Sequence, residues 1–251
     1  KHTVLHMVRN PRYYKGASKV ERFQLHTYSD NESLVTALKS QSINAAADVT
    51  SDSFGKLTHD PRFNGYTPTV NAGVYAILNT DSEILKDASV RSALRYGLDI
   101  KRIKKDIGYN PLSADLPILY SQIASLKNIK ISQYNQDKAN DILEKAGWKR
   151  DVSGIRTKNN EKLILRIALK KDNEYEKVAK NIADQWRLLG IESQISITDT
   201  SDPTQNFASL VLQPRDYDVL IYNLSVGADP DVYEYWHSSQ AVARGLNLSN
   251  Y

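Results

Sequence analysis

Apolar positions along this chain recur with two different periods, and the exchange between them marks out strands and helices. Thr3 to Val8 reads as a short strand, stopped by Asn10-Pro11, because proline lacks the ladder donor and restrains the residue before it. Arg22 to Thr27 alternates with Phe23 and Leu25 on one face, the period-two signal of a half-buried strand. A helical stripe follows over Leu34, Val35 and Leu38, with Asn31 as its expected N-cap and Glu32 in the first turn, where the dipole favours an acid. Gly73 to Leu78, rich in Val, Tyr and Ile, predicts another strand.

The texture changes after Asn79-Thr80. Val90, Ala93, Leu94 and Leu98 form a helical stripe, and Ile100, Ile103 and Ile107 continue a second one after Asp99. Gly108 to Gln133 carries Pro111 and Pro117 with little periodicity, so a long connection over a surface is expected. Asn135 is placed to cap a helix running through Ala146, with Gly147 at the C′ position. Gly154 and Asn159-Asn160 mark turns. Beyond them come a strand (Leu163 to Leu169), a helix (Tyr175 to Leu189, closed by Gly190) and a strand (Ile191 to Ile197). In that strand Ile191, Ser193, Ile195 and Ile197 share one side. Phe207 to Leu212 is expected to be helical, and Val219 to Tyr222 a buried strand. This alternation with short loops predicts an α/β layer fold with right-handed crossovers.

Composition narrows the picture. With 251 residues, 41% hydrophobic and 25% charged, the chain has ordinary globular usage, one large domain or two modest ones, and ample material for a core. The charge is 33 − 29 = +4. The pI near 9.0 raises nucleic acid as a partner, but the basic residues are scattered singly among acids. Pairs such as Lys104-Lys105 and Lys170-Lys171 read as solvated faces, so no nucleic acid is expected. Cysteine is absent, which removes disulfides, thiolate catalysis and Cys-based zinc, and fits life outside the cytoplasm. No run approaches the ~18–20 apolar residues of a membrane span, and the first residues lack a signal peptide's apolar stretch. The five histidines (His2, His6, His26, His59 and His237) show no zinc spacing, and Ser238-Ser239 beside His237 is adjacency without a triad. With no Gly-x-Ser-x-Gly elbow and no Gly-rich phosphate loop either, no enzyme, metal or cofactor is expected.

Several segments taken in order carry a resemblance. Asn10-Pro11-Arg12-Tyr13-Tyr14-Lys15-Gly16 opens the series, with Val20 to Leu25 behind it, then Leu34 to Asp48. Asn79-Thr80 precedes Val90-Arg91-Ser92-Ala93-Leu94-Arg95-Tyr96-Gly97-Leu98-Asp99, and Tyr134-Asn135 leads to Lys138-Ala139 and Leu143 to Trp148. Leu189-Gly190-Ile191, Asp216-Tyr217-Asp218 and Asp229-Pro230-Asp231 complete it. Singly each is weak; colinear over nearly the whole chain, they resemble the family 5 extracellular solute-binding proteins, the oligopeptide and dipeptide receptors of ABC importers.

The resemblance implies a periplasmic-binding-protein type II-like fold with two lobes that close on ligand about a hinge. It assigns 1–79 to part of lobe I and 80–251 to lobe II, within an internal piece of a longer protein, truncated or cleaved. Strands in Thr3 to Leu78 are then expected to lack partners and leave open sheet edges and apolar surface. It further implies a peptide or small-molecule ligand, ABC permease subunits as partners, and an extracytoplasmic location, periplasmic or as a membrane-anchored lipoprotein. Residues at strand ends and the loops after them are the expected ligand contacts: Asn79, Tyr222, Asn223, Asp229, Asp231 and Trp236. Each has a plainer role open to it: a hinge turn for Asn79, core packing for Tyr222 and Trp236, and capping of a Val232 to His237 helix for Asp229 and Asp231. One departure concerns specificity. Where peptide receptors of this family commonly place an Asp for the ligand's α-ammonium, this chain has Val226, which cannot pair with a cation. Oligosaccharides and metal chelates therefore stay open as ligands beside peptides.

Overall fold

The computed structural model describes residues 3–68, 70–107, 111, 116–118, 122, 129, 131–227 and 229–251. Most of the expected 108–133 connection lies outside the described residues. The chain forms two compact units, Lys1–Pro68 and Thr69–Tyr251.

In the first unit, β1 (Thr3–Val8) pairs antiparallel with β2 (Arg22–Thr27), Thr3 opposite Thr27 and Val8 opposite Arg22. The expected half-burial is not found: Leu5, Val8, Phe23 and Leu25 are exposed. A two-stranded ribbon has no second layer to cover a face. Helix α1 (Asn31–Lys39) is capped by Asp30 rather than Asn31, the Asp30 carboxylate accepting from Ser33 N at 2.7 Å. The expected cap residue Asn31 is used laterally, accepting from Thr50 N at 3.1 Å and donating to Ser53 Oγ at 2.6 Å. It thereby ties α1 to α2 (Ser51–Thr58), a helix the apolar pattern did not signal.

The second unit is built on a four-stranded sheet of β3 (Ala72–Leu78), β9 (Val219–Ser225), β7 (Ile164–Lys170) and β8 (Glu192–Thr198), in that spatial order. β7, β8 and β9 run parallel; β3 is antiparallel to β9, with Leu78 opposite Val219 and Ala72 opposite Ser225. Thus β1, β2 and β3 all have strand partners, contrary to expectation. Because β3 is hydrogen-bonded into this sheet, the compact units divide between Pro68 and Thr69, ahead of the expected boundary at 79.

Helices α3 (Ala88–Tyr96), α4 (Ile100–Ile107), α5 (Gln136–Lys145) and α6 (Asn173–Leu188) contribute to the main core with the sheet. Side chains alternate between the two faces of the sheet. Leu165, Ile167, Leu169, Val219 and Ile221 enter the main core with Leu94, Leu143, Ile182 and Trp186. Ala168, Leu220 and Leu224 enter a second core with Ile77, Phe207, Tyr217 and Leu248. Double-sided burial is why these inner parallel strands are nearly continuously apolar. Each such Leu or Ile contributes about 1.5–3 kcal/mol.

Most polar groups inside are bonded, the side-chain exceptions among the described residues being Trp148 Nε1, Ser193 Oγ and Arg215 Nε. Trp186 Nε1 donates to Leu94 O, and Gln185 bridges Asn181 and the Asp99 backbone, docking α6 to the start of α4. Arg156 is buried and donates to the carbonyls of Leu189 and Trp148, to Asn140 Oδ1 and to Glu144. It joins the end of α6 to a small sheet of β4 (Lys149–Arg150), β5 (Arg156–Lys158) and β6 (Glu161–Lys162). After β8 come a π-helical turn (Ala208–Leu212), β9, helix α7 (Tyr233–Trp236) and a 3-10 turn (Ser238–Gln240).

Candidate functional site

In open α/β sheets, ligands bind beyond the carboxyl ends of parallel strands. Here β7, β8 and β9 share one such edge. Ala168 lies level with Leu220 and Leu169 with Ile221, the last registered pair of β7 with β9, and Lys170 and Lys171 follow at the carboxyl end of β7. A cleft of about 530 Å³ opens at the ends of β7 and β8, lined by Lys170, Lys171, Asp172, Glu176, Asp199 and Ser201. Lys171 Nζ donates to Asp199 at 2.5 Å; that bond and those from Ser201 hold the Asp199 carboxyl down at about 2. The Asp172 carboxylate caps α6 through the backbone N–H groups of Glu174 and Tyr175.

Tyr222 stands at this edge on the second-core face. It stacks on Phe207 with ring centroids 6.1 Å apart and planes 15° apart. Directly opposite on β3 is Tyr75, whose hydroxyl donates to Leu116 O at 3.2 Å and whose phenol is pushed up by burial. Trp236 and Tyr235 pack against the same cluster, and Tyr235 Oη donates to Ser225 O at 3.0 Å. Tyr75, Phe207, Tyr222, Tyr235 and Trp236 thus belong to one aromatic cluster on this face of the sheet.

Two expected site residues share this cluster, Tyr222 and Trp236. Asn223, the next residue along β9, alternates to the opposite face, where it is exposed across from Val74. Asp229 is exposed in the loop that follows. Asp231 accepts from Tyr233 N at 2.9 Å, so it steadies the start of α7. In the same segment Ser239 Oγ lies 2.9 Å from His237 Nδ1, which also accepts from Ser239 N, an arrangement that caps the 3-10 turn.

Asn79 belongs elsewhere. It follows Leu78, level with the first residue of β9, whereas Asp229 follows the last; seven strand residues place these ends about 20 Å apart. Asn79 is 5% exposed and fully engaged. It donates to Arg215 O and Tyr217 O and accepts from Asp81 N and from Asn250 Nδ2. It borders a separate polar cleft of about 470 Å³ with Arg166, Arg215, Asp216 and Asn250. There Arg166 bonds Asp216 and Asp218, which raises the guanidinium's pKa further.

Sequence reasoning did not place Tyr75, Phe207 and Tyr235 in this cluster, and it read Lys170-Lys171, which are exposed, as a solvated face. Parity along β3 offers a signal for Tyr75, which shares a face with Ile77. Nothing local marks Phe207, because its partner sits on another element. Among the described residues, no group of three or more His, Asp or Glu side chains is placed to hold a metal ion.

An α/β body with this strand order has the architecture of the type II periplasmic binding proteins. Residues 1–244 match the bacterial extracellular solute-binding proteins, family 5 Middle, and the chain belongs to that family. It is 28% identical over 256 residues to the oligopeptide-binding protein AppA of Bacillus subtilis (strain 168), covering 95% of this chain and 44% of that protein. Its fold is similar to the ABC transporter substrate-binding protein CtaP of Listeria monocytogenes, with a TM-score of 0.80 and 21% identity over 99% of this chain and 48% of the other. It is also similar to NikZ of Campylobacter jejuni in complex with Ni(L-His), with a TM-score of 0.72 and 23% identity over 99% and 50% of the two chains. The chain spans about half the length of the relatives it matches.

Proposed function

We propose that this chain carries the ligand lobe of a receptor that captures oligopeptides outside the cytoplasmic membrane and delivers them to the permease subunits of an ABC importer. In this reading residues 69–251 form lobe II and residues 1–68 part of lobe I. The receptor binds and releases without catalysis. The observation that carries the reading is the aromatic cluster around Tyr222 and Trp236, together with the polar cleft at the carboxyl ends of β7 and β8, within a family 5 chain. Flat aromatic surface accepts varied side chains, while charged and amide groups at its rim hold a peptide main chain. The resemblance of the sequence to AppA, an oligopeptide-binding protein, supports peptide as the ligand class.

A metal chelate is the second reading, favoured by Val226. This residue is buried, its backbone N–H donating to Asn71 O at 2.7 Å, and it offers no anchor to an ammonium group. NikZ, a neighbour in fold, holds Ni(L-His).

Thermal melting of a chain carrying both lobes, screened against tri- to nonapeptides, oligosaccharides and nickel–histidine, tests the assignment. A ligand at about 100 times its Kd stabilises the folded state by about 2.7 kcal/mol. Peptides are expected to raise the melting point, and Trp236→Ala and Tyr222→Ala to abolish the rise. A shift with nickel–histidine alone would transfer the assignment to the second reading.

A further inference from the structure

β8 is one of the two outer strands of the four-stranded sheet, β3 being the other. One side is laddered to β7 from Ile164 opposite Glu192 to Lys170 opposite Thr198, and no described strand lies on its other side. The phase of the ladder fixes which backbone groups face outward. Glu192 N donates to Leu163 O, and Thr198 O accepts from Lys171 N. Glu192, Gln194, Ser196 and Thr198 therefore turn their N–H and C=O groups toward β7, and Ser193, Ile195 and Ile197 turn theirs away from it. The same three side chains share one face of the strand, on which Ile195 is 39% and Ile197 45% exposed. Soluble proteins blunt such edges with lysine, proline or a bulge. Glu192–Thr198 contains no Lys, Arg or Pro, and its register with β7 runs without interruption.

We propose that β8 is a pairing edge for a second copy of this chain, joined antiparallel about a two-fold axis through Ile195. This register uses the whole strand: Ile195 meets its own copy, Ser193 meets Ile197, Gln194 meets Ser196 and Glu192 meets Thr198. Every residue with outward backbone groups faces another of the same kind, so each such pair exchanges both of its N–H···O bonds. The one charge in the strand, Glu192, faces a threonine, so no like charges oppose. Ile195 and Ile197 of the two copies lie side by side on one face, where cross-strand apolar pairs contribute to sheet stability. The interface is isologous and closes at two copies, which a head-to-tail contact does not. Edge pairing of seven residues covers less than the roughly 800 Å² per partner of a standard interface, so the association is reversible and concentration-dependent.

Sedimentation velocity of the 251-residue chain, from low to high micromolar concentration, tests this. The weight-average mass is expected to rise from 28.3 kDa toward twice that value. Ile195→Lys, which opposes two cations across the axis, is expected to raise the dimer dissociation constant at least about tenfold. Ile195→Pro removes an outward-facing donor and no ladder bond, since the Ile195 N–H makes no bond to β7, and is expected to act likewise. Phe23→Lys, on the exposed ribbon of the first unit, is expected to leave the dimer intact. Far-ultraviolet circular dichroism confirms that each variant is folded. A wild-type chain that stays monomeric throughout, association that survives both Ile195 variants, or association lost in Phe23→Lys instead would overturn the proposal.

Discussion

Tyr217 is buried, its hydroxyl donates to Leu248 O at 2.8 Å, and burial pushes the phenol up to about 12. An unfolded chain releases that proton near pH 10. The folded form keeps it longer, so this contribution to stability is complete below about pH 10 and is lost as the pH rises toward about 12. Tyr217→Phe is expected to remove about 1 kcal/mol at neutral pH and to flatten that alkaline decline, which urea unfolding across the pH range measures. Asp199 works in the opposite direction. Its carboxyl titrates at about 2 because Lys171 and Ser201 hold the anion, so its contribution is present above about pH 4 and fades as the pH falls through about 2. Asp199→Asn is expected to remove that acid limb from the melting curve. Asn79→Ala is expected to destabilise by about 1–3 kcal/mol through its lost bonds, while leaving ligand affinity within about twofold. At this scale sequence reading reaches residue type but not company. Tyr222 was legible as a strand residue near a strand end, yet its stacking partner Phe207 and its neighbour Trp236 sit on other elements and meet it only through the fold.

Elements were more legible where length and caps agree. Asn135 caps α5 through Lys138 N at 2.8 Å, and Asn135→Ala is expected to cost about 1 kcal/mol. Gly190 closes α6 at φ 81°, and an added Cβ there would sit 2.8 Å from both Arg150 Nη1 and Gly154 O. Gly190→Ala is therefore expected to lower the melting midpoint more than the Asn135 change does, by differential scanning calorimetry. The pattern failed where signals are short or shared. The strands of the small sheet are two or three residues long, below any usable periodicity. At the start of α1, Asp30 and Asn31 both suit a cap, and tertiary contacts with Ser53 and Thr50 decide which of them serves. Burial on β2 was overestimated because alternation tells that a face is apolar, not that anything covers it.

Across the molecule the two units are unequal. Among the described residues the first unit buries one apolar side chain, Leu57, and the second carries both cores. Few buried contacts mean easy local opening. Limited proteolysis followed by mass spectrometry is expected to cut within residues 3–68 well before the sheet of the second unit. The order of strands in that sheet has a further consequence, for the chain as it is made. β9 lies between β3 and β7 in space but follows both in sequence, so β3 is finished 141 residues before β9 begins (219 − 78). At ~5–20 residues per second, synthesis leaves β3 unpaired for roughly 7 to 28 seconds. During that interval Val74, Ile77 and Leu78 stand without the strand that will cover them. Slow codons before β9 would prolong that exposure, and a trapping chaperone would find its binding segment there.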